Sequence, residues 1–218
     1  MLARLLIYPL CLLVGALLAV VAGVLHPDLA GDGAAQLTTI AQCAGWRAIH
    51  WTFLFGFPLA LTGLVGLARA HAGNPGESAV RAGLIVATFA YGAWTVTVAF
   101  MGSAGGSLAH SFTVAEAGMT ATRAVFLFDM IHPFALATQR VAGFALGLST
   151  CLFGWGVSEG KVLPRWLGTT GLAAGAVAMA LAVAFPETTK ADQAAFVLPV
   201  LWQVVTAIDM VRAVVRRG

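Results

Sequence analysis

The sequence predicts an all-α membrane protein, a bundle of six transmembrane helices, on three observations. Hydrophobic residues make up 60% of the 218-residue chain and charged residues only 10%, with mean hydropathy +0.90. A soluble domain carries about a quarter charged residues, so too few polar groups are present to cover a globular surface. The apolar residues gather in six runs, each near the ~20 residues that cross the hydrocarbon core as a helix. None of these runs shows the apolar–polar alternation of a membrane barrel strand. The length fits one domain, residues 1–218.

The first run, 5–25, follows Arg4. It is longer than the ~7–15 apolar residues of a signal peptide and ends without a small-x-small cleavage site, so it reads as a retained helix. "HPD" at 26–28 reads as its stop, with Pro27 ending the helix and Asp28 turning the chain. Runs two to six fall at 49–67, 80–103, 134–157, 163–185 and 194–211. Pro9, Pro58 and Pro199 lie inside runs, where they bend or locally open a helix. Gly143 and Gly147, then Gly171 and Gly175, form small-xxx-small patterns that let helices approach closely.

Charges orient the bundle. Arg69, His71 and Arg81 outweigh Glu77 between runs two and three, and Lys161 and Arg165 outweigh Glu159 between runs four and five. The chain ends Arg212, Arg216, Arg217. With Arg4 these mark the cytoplasmic side by the positive-inside rule, which puts both termini in the cytoplasm. The opposite connections are acidic or mixed: Asp28 and Asp32; Glu116, Arg123 and Asp129; Glu187, Lys190 and Asp192. The expected location is a bacterial cytoplasmic membrane, crossed several times.

This orientation sorts the histidines. His26, His50, His110 and His132 all fall on the extracytoplasmic side, and His71 alone is cytoplasmic. The first pair is 24 positions apart and the second 22. "LHPDLAGDG…WRAIHWTF" and "LAHSFTVAEAG…FDMIHPFA" read as two copies of one unit: helix, His, polar connector, His, helix. The sequence thus predicts a duplicated helical hairpin, while "PETTKADQAAF" between the last two runs lacks both histidines.

Four imidazoles at one membrane face point to metal chemistry, since neutral imidazole binds copper and zinc and serves as an axial ligand to haem iron. The candidate metal ligands are His26, His50, His110 and His132. Met101, Met119 and Met130 fall on the same side, and imidazole with thioether suits copper. Asp129, three residues before His132, is placed to orient it. A two-haem relay across the membrane is disfavoured, because the cytoplasmic side offers only His71. One b-type haem held by His50 and His132 near the outer face remains, as does a copper or zinc site using three or four histidines. The competing reading makes histidine and tryptophan an interfacial girdle, as in "WRAIHW", and the methionines packing filler.

Arg140 is the third candidate cofactor contact beside His50 and His132. It falls about 10 Å inside run four at 1.5 Å per residue, a depth at which ionisable groups face the bundle interior, a cavity or a partner. A haem propionate, a lipid phosphate and Glu187 are its candidate partners, and snorkelling to the interface is the alternative. Gln139 shares a helical face with His132, and Gln203 and Thr206 of run six would extend a polar cavity. Asp209 and Arg212 read as a structural i,i+3 pair.

Other chemistries find little support. There is no phosphate-binding loop, no nucleophile elbow, and no mid-run lysine for a retinal Schiff base. Cys11, Cys43 and Cys151 make no CxxC, and only Cys43 falls on the oxidising side, so no disulfide is expected. The charge of +3 is too small to imply nucleic acid.

The run "FALGLSTCLFGWGVSEGKVLPRWLGTTGLAAG", 144–175, resembles the fourth and fifth helices of a bacterial six-helix membrane family catalogued as a domain of unknown function. The shared features are two glycine-rich helices around a short turn ending Leu163, Pro164, Arg165. "PDLAGDGAAQLTTIAQCAGWRAI" is similar to that family's first connector. The resemblance implies a six-helix bundle and supplies no reaction.

Two readings of function follow. In one, the protein carries haem b or copper at its extracytoplasmic face, for electron transfer or metal handling, with a redox partner. In the other it is a non-catalytic accessory or scaffold subunit, in contact with the lipid bilayer and other membrane subunits. A transporter or lipid-binding protein built around Arg140 is a weaker third reading, since the repeat is parallel rather than inverted.

Overall fold

The computed structural model describes residues 2–114, 119–185 and 190–216, and among them every regular element is helical. The α-helices are α1 Leu2–Leu25, α2 Gly33–Gln42, α3 Trp46–Ala70, α4 Glu77–Ala99, α5 Gly106–Val114, α6 Met119–Glu159, α7 Arg165–Ala184 and α8 Lys190–Val215. A π-helical stretch, Phe100–Gly105, joins α4 to α5 without a break. Glu116, Glu187 and Arg217 lie outside the described residues, as does any pairing of Arg140 with Glu187.

Six helical spans are long and apolar enough to cross a membrane: Leu6–Leu25, Trp46–Ala70, Glu77–Val114, Thr120–Glu159, Arg165–Ala184 and Gln193–Val215. The chain is a multi-pass membrane protein. Its outward side chains, among them Phe55, Ile85, Phe89 and Val183, are large and apolar as a lipid-facing surface requires.

Two of the spans are too long for a simple crossing. Glu77–Val114 has 38 residues and Thr120–Glu159 has 40, or roughly 57 and 60 Å of helix against a hydrocarbon core of ~30 Å. Measured from Glu77 and Glu159, both at the end bearing the basic turns, about 20 residues use up that thickness. The π-helical stretch, α5 and the first turns of α6 therefore project beyond it. With α2 they form a cap that has its own small apolar core of Leu37, Ile40, Trp46, Met101, Ala109, Ala124 and Phe128.

This extends the limits expected from hydropathy, which closed run three at 103 and opened run four at 134. Polar residues such as Ser107, His110, Thr122 and Asp129 interrupt the apolar run without interrupting the helix. Helix continuity needs only backbone hydrogen bonds and one packed face, here supplied by α2 and α5. The first connector is likewise helical. Gly31, at φ +84°, makes the left-handed turn. Asp32 then caps α2 by accepting the Ala35 N–H at 2.9 Å.

Close helix pairs hold the bundle together. Along α1 and α3, a Cβ on Gly56 would lie 2.9 Å from the Gly15 carbonyl oxygen. Along α6 and α7, a Cβ on Gly147 would lie 2.9 Å from the Gly175 carbonyl oxygen. Gly171 faces Gly154 in the same seam, whereas Gly143 faces the ring of Phe196 on α8. Dispersion between backbones in contact replaces the hydrophobic effect, which is weak between helices in lipid.

Candidate functional site

Beneath the cap, α1, α3, α4, α6 and α8 part to leave a cavity of about 820 Å³. Its size falls within the ~300–1,000 Å³ of ligand pockets and far exceeds what a single ion occupies. Its floor is aromatic. Trp94 packs at a tilt against Phe53, Phe57 and Phe196 at ring separations of 5.6, 4.8 and 4.4 Å. Below that layer the Tyr91 hydroxyl donates to Gln203 Oε1 at 2.8 Å, a buried bond that ties α4 to α8.

Three of the four candidate histidines line this cavity: His26, His50 and His132. His26 follows the last turn of α1, His50 lies one turn into α3, and His132 lies where α6 passes the cap. His50 and His132 are buried, and His26 is half-buried. His26 Nδ1 donates to the Pro27 carbonyl at 2.8 Å, and His50 Nδ1 donates to the Trp46 carbonyl at 2.7 Å. A carbonyl can only accept, so each ring carries its proton on Nδ1 and presents an Nε2 lone pair. Burial pushes the His26 imidazole below its ordinary value of 6.5, against the Pro27 carbonyl and Asp28, which raise it. It is therefore neutral at pH 7.

The three rings of His26, Trp46 and His50 form one cluster, with centroid separations of 5.0, 5.3 and 4.3 Å. Trp46 Nε1 donates to the Met101 carbonyl at 2.7 Å, locking α3 to the π-helical stretch. Such a stretch displaces carbonyls from the regular ladder and is common at functional sites. Met101 lines the cavity, whereas the exposed Met130 does not, and the side chain of Met119 lies outside what the structure describes. No sequence motif announced the π-helical stretch. The nearest signal was the glycine density of Gly102, Gly105 and Gly106.

The remaining candidates sit elsewhere. His110 is exposed on α5 and does not line the cavity. Asp129 lies over the N-terminus of α2, where a Cβ on Gly33 would meet its carboxylate and where free N–H groups favour negative charge. His132 instead stacks on Phe128 at 4.6 Å. Arg140 Nη2 donates to the Phe185 carbonyl at 2.8 Å, at the end of α7, and Arg140 is not among the cavity residues, though Gln139 is. Gln193 Nε2 donates to Asp28 Oδ1 at 3.3 Å, closing the rim between α1 and α8. Gln203 and Thr206 are buried below the floor rather than in the cavity. Arg212 pairs with Asp209 at 3.1 Å, as the spacing predicts.

Among the described residues no three of His, Cys, Asp and Glu converge on one point as a metal-binding group. What the arrangement offers is two imidazoles with ring centres 5.3 Å apart and their Nδ1–H groups committed to carbonyls, with His132 and Met101 lining the same cavity. No family model, curated protein or solved structure matches this chain.

Proposed function

We propose that the protein holds a transition metal in this cavity, as the iron of a b-type haem or as copper, and serves electron transfer or metal handling. One observation carries the reading. His26, His50 and His132 line a single apolar cavity, and two of them have their Nδ1–H groups committed to backbone carbonyls. That commitment is the usual way a protein prepares an imidazole to bind metal through its other nitrogen.

The positive-inside rule supports an orientation for this site. Arg69, Arg81, Lys161, Arg165, Arg212 and Arg216 all lie at the end away from the cap. Both termini are then cytoplasmic and the cavity extracytoplasmic, in the cytoplasmic membrane of a bacterium. Its partner is then a redox protein or metal carrier reached from that side.

A visible spectrum with elemental analysis of detergent-purified protein tests the reading. The expected result is a Soret band or stoichiometric copper, lost in His50→Ala. A Soret band that is lost in His132→Ala as well marks haem. A colourless, metal-free protein refutes the proposal.

A second reading, an accessory subunit of a larger membrane assembly, is favoured by α6. Phe126, Leu127, Met130 and Ile131 lie exposed on its projecting half, beyond the ~30 Å that lipid tails cover. An apolar stripe there fits a protein partner. Co-purification of a stoichiometric membrane subunit, lost in a Phe126→Ser/Met130→Ser variant, supports this reading, and a monodisperse monomer holding metal on its own refutes it.

A further inference from the structure

We infer that His26 and His50, together with the thioether of Met101, form a site for one cuprous ion at the wall of the cavity. The inference rests on the proposed function in one respect, that the cavity is a metal site, and names the ion, its oxidation state and its ligands.

Ring geometry is the first support. Two imidazoles bound to one ion through one nitrogen each, at about 2.0 Å and at trigonal to tetrahedral angles, hold their ring centres about 5–5.5 Å apart. The separation of His26 and His50 is 5.3 Å, with planes at 64°. Ligands on opposite faces of a haem stand about 6 Å or more apart, with the macrocycle between them. His26 and His50 are too close for that arrangement and suit two ligands on the same ion.

Protonation is the second support. Both Nδ1 atoms donate to main-chain carbonyls, at 2.8 and 2.7 Å, so no proton need leave an Nε2 when metal binds.

The donor set then selects the ion. Met101 lines the same cavity as the two imidazoles, and its main chain is fixed by Trp46, whose Nε1 donates to the Met101 carbonyl while the indole contacts both rings. Two imidazoles and a thioether suit a soft ion that accepts two or three ligands. Structural zinc requires four, and no such group of His, Cys, Asp and Glu is present among the described residues. The apolar floor of Phe53, Trp94 and Phe196 favours the lower charge of Cu(I) over Cu(II), since burying charge in such surroundings is costly.

Competitive titration of detergent-purified protein with Cu(I) and a chromogenic Cu(I) chelator, under reducing conditions, tests the assignment. One ion per chain is expected, with X-ray absorption showing nitrogen and sulfur scatterers. Affinity is expected to fall about 100-fold in His26→Gln and His50→Gln, and about 10-fold in Met101→Leu. His110→Ala serves as the control and is expected to bind as the wild type does. Gln preserves side-chain bulk, and His26, half-buried at the rim, keeps the test open if His50→Gln fails to fold. Absence of Cu(I) binding, or binding indifferent to His26→Gln, overturns the inference. A Soret band that survives His26→Gln but is lost in His50→Ala and His132→Ala, without Cu(I) binding, overturns the copper site and upholds the proposed function. A protein with neither haem nor metal overturns both.

Discussion

The imidazole of His26 stands edge-on to that of His50, ring centres 5.3 Å apart, although 24 positions separate them in the chain. α1 and α3 are antiparallel neighbours, and the connector between them carries α2, which packs on α5 and α6. The close seam around Gly15 and Gly56 sets the approach of the two helices. The pair of imidazoles therefore depends on helix packing well below it.

That dependence makes the glycine seams testable. In Gly147→Val the new side chain meets the Gly175 carbonyl oxygen at 2.9 Å and the Met179 amide nitrogen at 3.0 Å. Overpacking of this kind costs about 1–3 kcal/mol, and a lowered Tm in detergent is the expected readout. Gly23→Ala is the counterpart, because a Cβ there meets nothing within 4 Å. Its Tm is expected to hold or rise, since alanine favours helix over glycine by about 0.5–1 kcal/mol.

Trp46→Phe removes the indole N–H that donates to the Met101 carbonyl in a buried site. A loss of about 1–3 kcal/mol is expected, together with faster hydrogen exchange in the π-helical stretch. The outward-facing Trp51 is 46% exposed, and Trp51→Phe is expected to stay within about 0.5 kcal/mol of wild type.

The Tyr91–Gln203 bond is expected to show coupling. Tyr91→Phe strands Gln203 Oε1 in a buried layer, and Gln203→Leu strands the Tyr91 hydroxyl. Each single change costs about 1–3 kcal/mol, and the double change costs less than their sum. Additive losses in a double-mutant cycle would count against a direct bond.

His71 gives a pH dependence. It is fully buried, its Nδ1 donates to the Leu67 carbonyl at 2.9 Å, and its Nε2 has no hydrogen-bond partner. Burial pushes its pKa below the ordinary 6.5, with the Leu67 carbonyl opposing. The unfolded chain then binds the proton more readily than the folded one, so stability rises with pH. Stability is full above pH 6.5 and falls as pH drops from there toward the folded-state pKa. His26, lowered for the same reason, adds to this slope. Unfolding followed from pH 7.5 to 5 is expected to show the loss, and His71→Gln to flatten it.

Composition and hydropathy by themselves determined that this chain is a six-span helical membrane protein, because lipid requires every backbone polar group to be bonded within its own helix. Periodicity and spacing also marked Gly147 and Gly175 as close-approach positions, the Asp209–Arg212 pair, and a set of four histidines of which His26, His50 and His132 line one cavity. These are local properties, or they follow from chain reversals at a membrane surface. Tertiary structure alone decided that the helix continues from α4 through the π-helical stretch into α5, and that these and the first turns of α6 build a cap with α2. It also turned His110 outward, drew Arg140 to the Phe185 carbonyl, and set the Asp129 carboxylate over the start of α2. Each of those outcomes depends on which helix supplies a partner across the bundle, and no residue's neighbours along the chain specify that.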